Sequence, residues 1–146
     1  MDLLLSFIKT NRTIMSNNKQ SSVDKEFVPY KQALALKELG FDEPCFGFYL
    51  DNGLWVPSSS SNWGEDPLYP TNSDLLSGDV SAPLYQQAFR WFREKYGLAH
   101  NIHPITYDCY VVNQKDPSID DIGDFNTYEE AELACLKKLI EIVKNK

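Results

Sequence analysis

Apolar positions recur at helical spacing over Ser81–Leu98, SAPLYQQAFRWFREKYGL, where Tyr85, Ala88, Phe89, Phe92 and Tyr96 make one broad face. Ser81 is placed to cap that helix, Pro83 fits its first turn, and Gly97 followed by Leu98 supplies a left-handed stop with a trailing apolar contact. The same grammar predicts a first helix over Pro29–Leu39, stopped by Gly40 and closed by Phe41, with Tyr30, Ala33 and Leu34 on its apolar side. A final helix is predicted from Thr127 to about Lys144, because Thr127 and Glu130 have capping-box spacing and acids precede bases along it. Its apolar arc is wide. One stripe runs through Tyr128, Ala131, Cys135, Leu139 and Ile142, and a second through Leu133, Leu136, Ile140 and Val143. The second stripe is a candidate interface with a partner or a second copy.

Period-two patterning marks the strands. Cys45–Leu50 places Phe46, Phe48 and Leu50 on one face, and Asp51-Asn52-Gly53 predicts a tight turn returning through Leu54-Trp55-Val56. Ile105–Val112 places Ile105, Tyr107, Cys109 and Val111 on one face, followed by an acidic loop over 113–125. The order α-β-β-α-β-α predicts an α+β domain: a small, mostly antiparallel sheet of three to four strands packed with three helices. Residues 1–26 read as a flexible leader and 27–146 as a single domain. Within the leader, Leu3, Leu4, Leu5, Phe7 and Ile8 are too short a run for a signal peptide, and Met15 opens a polar tract that reads as a natural translation start. The sequon at Asn11-Arg12-Thr13 reads as chance.

Composition narrows the partners. A formal charge of −7 over 146 residues disfavours nucleic acid and anionic membrane surfaces, both of which need clustered cations. No apolar run approaches a bilayer span. Cys45, Cys109 and Cys135 are an odd, widely spaced set, which suits buried thiols in a reducing, cytoplasmic setting.

Candidate chemistry is sparse. His100 and His103 precede the strand bearing Cys109 but match no zinc spacing, and no metal or cofactor is expected. Asp116, Asp120, Asp121 and Asp124 depart from calcium-loop spacing and read as a solvated loop. No phosphate-cradling glycine loop, nucleophile elbow or helical HExxH occurs, so no catalytic residues are assigned. Trp55, Trp63 and Tyr69 flank or occupy the long loop 57–80 and are candidate binding aromatics. Arg90 and Arg93 are a candidate anion pair on the polar side of the central helix.

Three blocks, FVPYKQALALKELGFDEPCFGFY, APLYQQAFRWFREKYGL and TYEEAELACLKKLIEIVK, together resemble a set of short proteins of unknown function from Bacteroidetes bacteria and their phages. The likeness spans about Phe27 to Lys144 and leaves out loop 57–80. It implies an accessory protein of a phage or mobile element in the bacterial cytoplasm, and it agrees with a start near Met15; it carries no activity. The expectation is therefore a protein that binds another protein, or itself, without catalysing a reaction. The alternatives are a phage inhibitor of host defence, masking a host protein or sequestering a nucleotide signal through Arg90 and Arg93, and a small hydrolase or transferase with scattered residues.

Overall fold

The computed structural model describes residues 22–56 and 69–146. Most of the leader, with Met15, and half of loop 57–80, with Trp63, lie outside them. The elements are α1 (Tyr30–Glu38), β1 (Gly47–Leu50), β2 (Gly53–Trp55), β3 (Val80–Ala82), α2 (Tyr85–Tyr96), β4 (Leu98–Ile102), β5 (Cys109–Asn113), β6 (Ser118–Gly123) and α3 (Tyr128–Lys144). Short 3-10 turns occupy Ser22–Glu26 and Asn72–Asp74. The α+β class holds. The sheet count does not: six strands form two three-stranded antiparallel sheets, ordered β2-β1-β3 and β4-β5-β6. The chain divides into two compact units, Met1–Leu84 and Tyr85–Lys146.

In the first unit, α1 ends as the sequence predicts. Gly40 sits at φ 93°, its N–H donates to Lys37 O, and Phe41 N–H reaches back to Leu36 O at 2.9 Å. Both orphan carbonyls are thus satisfied while Leu36 and Phe41 close together into the core. The β1–β2 turn is centred one residue before the Asn-Gly pair: Asp51 and Asn52 both adopt positive φ, and Gly53 already pairs with Leu50. This is a type I′ turn, whose twist suits a hairpin. β1 is buried on both faces. On one side Phe48 meets Trp55 edge-on at 4.7 Å, and Leu50 and Leu75 complete a small cluster. On the other, Tyr49 meets Tyr30 edge-on at 5.5 Å, and the Phe27 ring lies so close over Gly47 that any side chain there would collide with it.

Ser81 does not cap the central helix. It lies in β3, fully buried opposite Phe48, and the helix begins only at Tyr85. The unpaired edge of β1 overrides the local capping signal, because it needs a partner for its backbone groups. Tyr49 Oη donates a buried hydrogen bond of 2.7 Å to Val28 O, and burial with the nearby Asp24 charge pushes the phenol up to about 12. Tyr49→Phe should therefore cost about 1–2 kcal/mol, because Val28 O is left buried without its donor. Chemical denaturation followed by tryptophan emission would measure it.

The second unit is a meander flanked by two helices. α2 and α3 pack against each other; α2 lies on β4, and α3 lies across all three strands. Gly97 takes φ 67° and Leu98 is buried behind it, as the helix-stop pattern predicts. Phe89, Phe92, Leu98, Val111, Leu136 and Leu139 fill the interior. Trp91, absent from the predicted apolar face, is also buried, with the Lys95 ammonium 4.9 Å above its ring. The predicted strand over Ile105–Val112 is displaced to Cys109–Asn113, and Ile105 is 80% exposed. β4 lies outside every strand the sequence pattern predicts. The predicted acidic loop 113–125 holds β6, an exposed edge strand carrying Asp120 and Asp121. α3 begins as predicted, with Thr127 Oγ1 accepting Glu130 N–H at 3.2 Å. No helix among the described residues is long and apolar enough to cross a membrane.

Candidate binding surface

In the first unit a hydrogen-bonded strap, residues 69–79, is fixed on the end of α1 and the start of β1. Asn72 is its pivot. Its Nδ2 donates to Phe41 O at 2.7 Å and its Oδ1 accepts Ser81 N–H at 2.9 Å, both buried. Thr71 and Asp74 cap the 3-10 turn around it. Ser73 donates through its N–H, at 2.7 Å, and its hydroxyl to the Asp42 carboxylate, which holds that carboxyl below its usual range. Lys37 Nζ donates to Asp79 O at 2.9 Å and Cys45 N–H to Pro70 O at 3.2 Å.

The strap presents Tyr69. Its ring stands edge-on to Phe46 at 5.2 Å, and the two are 44% and 52% exposed. Val56, directly after β2, is a further exposed apolar residue. Of the aromatics singled out from sequence, Tyr69 is thus displayed, Trp55 is half-buried against Phe48, and Trp63 lies outside the described residues. The strand pattern puts Phe46 on one face with Phe48 and Leu50. It instead precedes the strand and stands half in solvent. The signal that could have found it is the following Gly47, a weak strand former that separates Phe46 from the strand proper.

In the second unit Arg90 and Arg93 are both exposed on α2. His100 belongs to β4, where its imidazole stacks on Phe89 at 3.6 Å with the planes 19° apart. Burial, and then the Arg93 charge, pull its pKa down to about 4, so it is neutral at pH 7. His103 orders the β4–β5 turn: its Nδ1 accepts the N–H groups of Ile105 and Thr106, both at 3.3 Å. The two histidines therefore have separate structural duties.

Cys109 and Cys135 are fully buried and hydrogen-bonded to one another, and burial raises both thiols above their usual range. A thiol held protonated is a poor nucleophile. Asp120 and Asp121 sit on alternate faces of β6, opposite Val111 and Tyr110, so they do not converge on one ion. Among the described residues no cluster of three or more His, Cys, Asp or Glu side chains could hold a metal. Along the second stripe of α3, Leu136 and Ile140 are buried, while Leu133 and Val143 are half-buried. Two of the four residues proposed as an interface therefore already belong to the core.

No protein-family model, no curated protein and no solved structure matches this chain.

Proposed function

We propose that the chain is a non-catalytic protein-binding module whose contact surface is the Phe46–Tyr69 pair. The observation that carries this reading is the pairing of exposure with rigidity. Two aromatic rings stand half in solvent, yet the strap beneath them is tied down by buried and charge-assisted hydrogen bonds. Aromatic anchors that lose little freedom on docking are the residues that dominate protein interfaces. The chemistry available elsewhere supports binding over catalysis, since the Cys109 and Cys135 thiols are buried with their pKa values raised and each histidine serves the fold. The resemblance to short phage and Bacteroidetes proteins supports a place among mobile-element accessory proteins.

The test is affinity capture from a host lysate with the wild-type chain and with a Phe46→Ser/Tyr69→Ser variant, each checked for fold by circular dichroism. The wild type is expected to retain a defined host protein that the variant loses, with affinity falling about 30-fold or more for two removed anchors. Equal capture by the two chains would refute the assignment of this surface.

A further inference from the structure

We infer that β4 is a self-association strand, pairing antiparallel with β4 of a second copy of this chain about a two-fold axis at His100. The inference stands on the second unit alone and is independent of the Phe46–Tyr69 surface.

The ladder between β4 and β5 fixes which backbone groups are used. Gly97 O accepts Gln114 N–H at 2.8 Å at one end, and His103 N–H donates to Asp108 O at 2.8 Å at the other. Between them Ala99 faces Val112 and Asn101 faces Tyr110. In an antiparallel ladder every second residue exchanges hydrogen bonds with the partner strand. Residues 97, 99, 101 and 103 therefore turn their backbones toward β5, while Leu98, His100 and Ile102 turn theirs outward. β4 ends the sheet, so these three N–H and three C=O groups have no strand to meet among the described residues.

Natural edge strands are usually guarded by charge, proline or a bulge. β6, the other edge of this sheet, is guarded: it carries Asp120 and Asp121, and its pairing with β5 is interrupted by a register shift. β4 is Leu-Ala-His-Asn-Ile, with neither a charge nor a proline. The same five residues are self-complementary. With His100 opposite the second copy's His100, Leu98 falls opposite Ile102 and Ile102 opposite Leu98, so all three donors find all three acceptors. On the face away from the helices, Ala99 falls opposite Asn101, a small side chain against an exposed amide. No like charges meet within the paired strands, since His100 is neutral at pH 7. A β6–β6 pairing would instead set carboxylates against carboxylates.

Two measurements test this on the full chain. Sedimentation of the wild type over about 1–200 µM should show a monomer–dimer equilibrium, and Asn101→Lys, which places two cations beside the axis on an exposed position, should weaken it about tenfold or more while leaving the circular-dichroism spectrum unchanged. Separately, Ala99→Cys and Asn101→Cys chains are prepared apart and then mixed. In the proposed register residue 99 faces residue 101 in a non-hydrogen-bonded pair with Cα atoms about 4.5 Å apart, within the span of a disulfide. Oxidation should therefore cross-link the mixture far more than either chain alone. A wild type that stays monomeric throughout, an Asn101→Lys dimer as tight as the wild type, or cross-linking no greater in the mixture would each overturn the proposal.

Discussion

Asn72→Ala is expected to destabilise the first unit by about 4 kcal/mol, the largest effect of any single polar substitution proposed for this chain. The side chain makes two buried hydrogen bonds in opposite senses, donating to Phe41 O and accepting from Ser81 N–H. Alanine strands both backbone groups in the interior, and each orphan costs roughly 1–3 kcal/mol; a small void adds to that. The effect is local, so hydrogen exchange is the sensitive measurement. The Ser81 amide and the β1–β3 ladder should lose protection by about a thousandfold, while amides of β4–β6 keep theirs. Asn72→Asp sharpens the test. It keeps an acceptor for Ser81 N–H but sets an oxygen against Phe41 O, so it should also be destabilised at neutral pH. A change below about 1 kcal/mol in Asn72→Ala would mean that water replaces the amide and that the strap is not held as described.

The second large effect is a loss of stability in mild acid that is carried by His100. Its folded pKa is drawn down to about 4, against an ordinary 6.5, because the ring is buried on Phe89 and sits near Arg93. Between those two values the unfolded chain takes up a proton that the folded chain refuses. Unfolding is then favoured as pH falls, so the stabilisation is complete above pH 6.5 and is lost progressively down to pH 4. The full window corresponds to about 3 kcal/mol. Asp42, the carboxylate held down by Ser73, titrates below its ordinary 3.8 and so acts outside this window. Denaturation at pH 7, 6, 5 and 4 should show the wild type losing about 3 kcal/mol relative to His100→Leu as acid is added. Parallel curves would show that the imidazole is solvated after all.

What could be read from the sequence was whatever is written locally. Gly40 with Phe41, Gly97 with Leu98, and Thr127 with Glu130 each placed a helix end correctly, because the capping groups lie within a few residues of the atoms they satisfy. The strands were only partly legible. β4 spells no clean alternation, since its inward position is held by a neutral histidine that behaves as an aromatic. β6 is an edge strand facing solvent, so Ser-Ile-Asp-Asp-Ile-Gly has no need to look apolar, and 67% of Ile119 is exposed. Ser81 failed for the opposite reason: its local signal was sound, but pairing with β1 claimed the residue first. The candidate surface was half visible. Tyr69 stood out as an aromatic in a polar stretch, whereas Phe46 was concealed by the strand pattern that follows it. The hydrogen bonds fixing Tyr69 in place join residues some thirty positions apart, which no local pattern announces.

The connectivity of the two sheets sets their relative speeds of assembly. In β4–β5–β6 each strand pairs with its immediate neighbour in the chain, and short connections lead into it from α2 and out of it to α3. Little chain entropy is surrendered before each new contact repays it, so this half should collapse early and nearly independently. The other sheet begins equally well with the β1–β2 hairpin. It must then wait for β3 to return across the whole intervening stretch of polypeptide before its central strand is enclosed. Until that return, one margin of β1 is open to the wrong partner, and the hairpin is the piece most in need of protection as the nascent chain leaves the ribosome.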